Sequence, residues 1–214
     1  MLKVLRIDRT SDVLTQTAYD YRSGNVYPKF LEKGFVLIPD LPGTIATRDA
    51  VEQRDKDSGI VFITAACHGD TNKLLGDFND NLFPIGGYAP EEVKGRIVHF
   101  LACATAAELG RDFINKGCRA FIGYDTIFEY DRAWANVFFR CDAQIDLALA
   151  EGKRVAEAIA LAKEQFDAAI GDPANQSIVQ ALKERRDSLV GLPPDNLENI
   201  GLYDMADPLP RPIS

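Results

Sequence analysis

Two apolar runs constrain this chain more than any other feature. One is Ile60-Val61-Phe62-Ile63-Thr64-Ala65-Ala66-Cys67-His68-Gly69-Asp70, the other Arg96-Ile97-Val98-His99-Phe100-Leu101-Ala102-Cys103-Ala104. Each has strand length and almost no polar alternation, the pattern of a strand buried on both faces in a parallel sheet. Each ends in a chemically capable side chain, His68 in one and Cys103 in the other. Sites in such sheets form beyond the carboxyl ends of the strands. Neighbouring strands lie about 5 Å apart, so the two tips can meet over one sheet edge. A thiol beside an imidazole is the pairing of nucleophile and base in a thiol hydrolase.

The rest of the chain supplies the elements around these strands. Residues 2–7 read as a first strand and 13–32 as an amphipathic helix broken near Ser23-Gly24-Asn25. Phe35 to Pro39 reads as a short strand, followed by a turn at Asp40-Leu41-Pro42-Gly43. Thr47 is suited to cap a polar helix that runs to about Lys56. The polar stretch 70–87 is too long for a tight turn and reads as an active-site loop or small hairpin. Helices are expected over 104–116, 132–149, 155–170 and 177–189, with a strand at 119–123 and an edge strand at Ile200-Gly201-Leu202-Tyr203. Strands alternating with helices imply an α/β fold, a three-layer α/β/α sandwich with a mostly parallel sheet. No linker interrupts residues 1–214 before an irregular tail from about 191, so one domain is expected.

Composition excludes some functions. A net charge of −8 without a basic stripe argues against nucleic-acid binding. No apolar run reaches membrane-spanning length, and the charged start is unlike a secretory leader. Cys67, Cys103, Cys118 and Cys141 form neither a CxxC pair nor a disulfide pattern, so reduced thiols in the cytoplasm are expected. No Gly-rich phosphate loop follows an early strand, which argues against a nucleotide site. No cofactor and no metal is called for; a zinc site from Cys67, His68 and Cys103 would need two adjacent strand residues to face one ion.

Of the two histidines, His99 lies on the same strand as Cys103, about 13 Å back along it. It reads as a buried strand residue, which leaves His68 as the base. Gly69 permits a tight exit and an accessible backbone N–H. Residues 104–108 read as a helix start, which would set Cys103 against a helix dipole and favour its thiolate. The N–H groups of Gly69 and Cys103 could then stabilise an oxyanion. Against this stands the ordinary behaviour of free cysteine, which is among the most buried residue types and is most often structural.

The order apolar strand, His68-Gly69, apolar strand, Ala102-Cys103 resembles the caspase-like cysteine peptidases (clan CD). The stretch from Leu109 through Gly117-Cys118-Arg119-Ala120-Phe121-Ile122-Gly123 is similar to the CHAT proteases of that clan, as are Val137-Phe138-Phe139-Arg140, the run 149–162 and the closing Leu202-Tyr203-Asp204-Met205-Ala206-Asp207-Pro208. The likeness covers residues 61–208. It implies a bacterial-type cysteine endopeptidase acting on a protein or peptide substrate, with His68 and Cys103 as the catalytic dyad and Gly69 as the oxyanion donor. The loop after Gly123 would line the pocket for the residue before the cut. It carries Asp125, Glu129 and Asp131, and Asp125 or Asp131 would favour a basic side chain; the plain alternative is a solvated loop with helix-capping acids. The segment Tyr124-Asp125-Thr126-Ile127 departs from the family pattern. A catalytically silent module of the same fold, used for protein binding, is the alternative function.

Overall fold

In the computed structural model, residues 1–38, 46–55, 57 and 59–205 are described. The elements, in order, are β1 (Lys3–Asp8), α1 (Val13–Asn25), α2 (Tyr27–Glu32), β2 (Val36–Ile38), α3 (Arg48–Asp55), β3 (Ile60–Ala66), β4 (His68–Asp70), β5 (Lys73–Leu75), β6 (Ile97–Leu101), α4 (Leu109–Asn115), β7 (Ala120–Tyr124), α5 (Ala135–Ala150), α6 (Val155–Gly171), α7 (Val179–Ser188) and β8 (Leu189–Leu192). The turn expected at 39–43, the last expected residue of α3 (Lys56) and the tail beyond Met205 lie outside the described residues.

Six strands form one sheet in the order β2-β1-β3-β6-β7-β8. All neighbours are parallel except β8, which runs antiparallel to β7. The apolar runs are the central strands β3 and β6, paired from Phe62↔Ile97 to Ala66↔Leu101. Every residue of both is buried, as strands without alternation require. Alternate residues feed two cores. Phe62 and Ile97 join α1, α2, α5 and α6 on one face; Ile63, Val98 and Phe100 join α3 and α4 on the other. The arrangement is therefore α/β with helices on both sides of a mostly parallel sheet. Among the described residues no helix is long and apolar enough to cross a membrane.

Local sequence explains several boundaries. Asp12 caps α1 by accepting from the Leu14 and Thr15 N–H groups at 3.0 and 3.1 Å. The expected break between α1 and α2 falls at Val26, just beyond Ser23-Gly24-Asn25, with Pro28 in the first turn of α2. Thr47 receives the Ala50 N–H at 3.4 Å at the start of α3.

Three expectations are corrected. Residues 104–108 are turns, and α4 begins only at Leu109. The Ala104 and Ala106 N–H groups go to the Thr126 and Tyr124 carbonyls at 2.8 and 3.0 Å, and Ala104 sits at φ +54°, so tertiary pairing overrides a helix-favouring run. The edge strand is β8 rather than 200–203; Leu202–Met205 is a 3₁₀ turn instead. The stretch 132–134 is 3₁₀, and α5 proper starts at Ala135.

Beneath α1 and α5 the first core contains a chain of buried polar groups. The Arg22 guanidinium lies 3.4 Å from Asp8 and 3.0 Å from Asp146. Tyr27 donates to Asp8, and the Thr64 hydroxyl donates to Asp146 at 3.1 Å. His99, wholly buried, pairs through Nδ1 with Asp146 at 2.7 Å and through Nε2 with Asp142 at 3.3 Å. The Tyr124 hydroxyl donates to Asp142 at 2.8 Å. Burial alone would lower the His99 pKa, but the Asp146 and Asp142 carboxylates reverse this and push it up to about 9. His99 is thus a buried strand residue, committed to the core.

Candidate active site

Strand order locates a crevice. After β1 the chain crosses to β2 on one side, then returns to β3 on the other, so the sheet reverses between β1 and β3. Ligand sites in open α/β sheets form outside the carboxyl ends at such a point. Asp12 follows β1, His68 follows β3 and Cys103 follows β6, three adjacent strands.

A cavity of about 680 Å³ opens at this edge. It is walled by the start of α1 (Leu14, Thr15, Ala18), the exits of β3 and β6 (66–68 and 101–103), the loop 127–131, Phe139 of α5, and Ala181, Glu184 and Arg185 of α7. That volume suits several residues of peptide or a drug-sized molecule. His68 and Cys103 both line it, and both are partly exposed.

The approach of the two strand tips depends on Gly69. After β3, the Cys67 N–H still pairs with the Leu101 carbonyl at 3.2 Å, and its buried sulfur lies 3.5 Å from the Ile7 carbonyl. The chain then enters the β4–β5 hairpin, with His68 opposite Leu75 and Gly69 opposite Leu74. A Cβ on Gly69 would stand 2.7 Å from the Cys103 carbonyl oxygen, 2.7 Å from Thr105 Cγ2 and 3.0 Å from Ala102 Cβ. Only a glycine lets the hairpin sit this close to the Cys103 turn. The Thr71 carbonyl in the same hairpin accepts the Leu109 N–H of α4 at 2.7 Å.

Each candidate group has a defined partner. His68 Nε2 lies 3.2 Å from Asp12 Oδ2, which also meets Arg9 Nε at 2.9 Å. Partial burial works to raise the Asp12 pKa, but the bonds from Thr15 and the charges of His68 and Arg9 prevail and hold the carboxyl below its ordinary value. Cys103 Sγ accepts the Phe128 N–H at 3.3 Å and lies 3.6 Å from the Phe128 carbonyl. Because α4 starts six residues later, its dipole does not act directly on the sulfur. Burial pushes the Cys103 thiol up; the Phe128 N–H and the Arg185 charge oppose this, and Glu129 adds to it.

The acids of the loop after Gly123 separate. Asp131 lines the cavity while one of its oxygens accepts the Ala133 N–H at 2.8 Å, so it also caps the following 3₁₀ turn. Asp125 is exposed and is not among the cavity-lining residues; its N–H donates to the Ser188 carbonyl at 3.0 Å. Glu129 and Glu184, both exposed, line the cavity as well.

Sequence reasoning missed Asp12, Arg185 and the Phe128 amide. Asp12 carried a signal, since Ser11-Asp12 ahead of Val13 is an N-cap pattern directly after the first strand. Arg185 carried a fainter one: it lies three residues after Leu182, on the buried side of α7. A backbone amide acting on a thiol leaves no trace in residue types. No protein-family model matches this chain, and no curated protein matches it either.

Proposed function

We propose that this chain is a cysteine endopeptidase of the caspase-like type, in which Cys103 is the nucleophile and His68 the general acid and base. The observation that carries this reading is the convergence of His68 and Cys103 on one open cavity at the carboxyl edge, with the His68 ring held by Asp12. His68 takes the Cys103 thiol proton, the thiolate attacks a peptide carbonyl carbon, and the C–N bond breaks as His68 passes that proton to the leaving amine. His68 then takes a proton from water, which cleaves the thioester and restores the thiol. With Nε2 occupied by Asp12, Nδ1 is the nitrogen left to move these protons. Gly69 serves, by resemblance, as the backbone donor to the oxyanion. Glu129, Asp131 and Glu184 give the cavity an acidic rim that suits a basic side chain before the cut.

An iodoacetamide-type probe and a positional peptide library test this. Labelling is expected to disappear in Cys103→Ala and to slow in His68→Ala, with cleavage after Arg or Lys. Equal labelling of all variants would defeat the dyad, and preference for Asp would reject the acidic rim. One observation favours a silent, protein-binding module instead. The sulfur is engaged by the Phe128 backbone, and burial pushes the thiol up, away from the thiolate. That reading expects a folded protein that turns over no peptide in the library.

A further inference from the structure

Helix α7 grips the loop that bears on Cys103 at two points, one on each side of Phe128. The Ser188 carbonyl accepts the Asp125 N–H at 3.0 Å, and Arg185 Nε donates to the Glu129 carbonyl at 3.1 Å. Between these anchors the Phe128 ring packs on Tyr124 at 4.5 Å, and the Phe128 N–H meets the sulfur. The Arg185 side chain is only 9% exposed, yet it lines the same cavity as Cys103. A guanidinium stays charged in such a place and offers its donors in a fixed fork.

We propose that Arg185 is a positioning residue for Cys103: it fixes the Glu129 carbonyl so that the Phe128 N–H stays on the sulfur, and it sets a cation at the same cavity wall. This rests on the reading of Cys103 as the nucleophile and assigns to Arg185 and Phe128 the support that a helix N-terminus would otherwise give. The charged and titratable side chains that line the cavity with Cys103 are Arg185 and Glu184 from α7, Glu129, Tyr130 and Asp131 from the loop, His68 from β4 and the buried Cys67. Glu129 opposes Arg185 at the thiol, and burial keeps the thiol above its ordinary value. Arg185 therefore offsets part of the burial effect, together with the Phe128 N–H whose loop it holds, and its loss weakens both.

The test is the pH dependence of iodoacetamide alkylation of the full chain. Cys67, Cys118 and Cys141 are buried, and Cys103→Ala gives the background. Arg185→Met is expected to move the alkylation midpoint up by about one pH unit, which slows alkylation about tenfold at neutral pH. Arg185→Lys, which keeps the charge and a donor, is expected to recover most of that loss. A folded Arg185→Met protein with the wild-type profile overturns the proposal. Should Arg185→Met fail to fold, Arg185→Gln takes its place: without the cation its midpoint is expected to rise as well, and a wild-type profile overturns the proposal. A chain that cuts no peptide but shows these shifts loses the peptidase reading and keeps this one.

Discussion

Gly69 shows how one residue type sets the cleft. Its missing Cβ leaves room for the Cys103 carbonyl, a backbone atom that cannot swing aside as a flexible side chain would. Gly69→Ala is therefore expected to cost about 1–3 kcal/mol in urea unfolding, the usual range for overpacking. It should also slow Cys103 labelling, because the hairpin must retreat and carry His68 with it. Unchanged stability and labelling would mean the approach is looser than described. His68, Gly69 and Cys103 were legible as candidates because they end non-alternating runs. Asp12 and Arg185 were not, because each looks ordinary in sequence: a helix-capping acid, and one arginine in the Lys183-Glu184-Arg185-Arg186 run. Their meaning comes from what the fold sets beside them.

Elements were legible where periodicity alone decides them, and obscure where partners decide them. Strands β3 and β6 needed only their apolar runs. Helix α4 starts later than its sequence suggests because Ala104-Thr105-Ala106-Ala107 favours a helix, while two of that run's N–H groups are claimed by the β7 exit. Strand β8 leaves little trace in the sequence because four residues directly after a helix give almost no alternation to read. What α4 contributes is an aromatic anchor. Phe113 lies fully buried against Tyr88, Phe83, Phe121 and Phe100, with ring centroids 5.0, 5.4, 5.5 and 5.7 Å away. Phe113→Ala is expected to cost about 3–5 kcal/mol, measured by chemical denaturation. A cost under about 1 kcal/mol would show that this core collapses around the gap.

Across the whole molecule, the buried polar chain ties α1 and α5 to the sheet and makes stability depend on pH. The His99 pKa is raised in the folded state to about 9 from an ordinary 6.5. A raised value of this kind contributes fully below about pH 6.5 and is lost as pH climbs through about 9. Urea unfolding is thus expected to show stability falling across that window, by a few kcal/mol at most. His99→Gln should be less stable at the acid end and flatter across the window. A flat wild-type profile would contradict the His99–Asp146 assignment. The α/β class and the mostly parallel sheet could be read from element order, but this chain of charges could not. Apart from His99 on its buried strand, its charged members lie at residues 8, 22, 142 and 146, scattered through segments that look like solvated helix faces or strand ends.

The hydrogen bond from Leu109 to Thr71 joins two parts that sequence keeps far apart. Thr71 belongs to the turn beyond His68, and Leu109 opens the helix reached from Cys103. With Gly69 nested against the Cys103 turn, this bond makes the two arms of the cleft a braced frame. A load applied to either arm passes into the other, so the spacing of imidazole and sulfur is preserved by shared stiffness and does not depend on each arm being rigid alone.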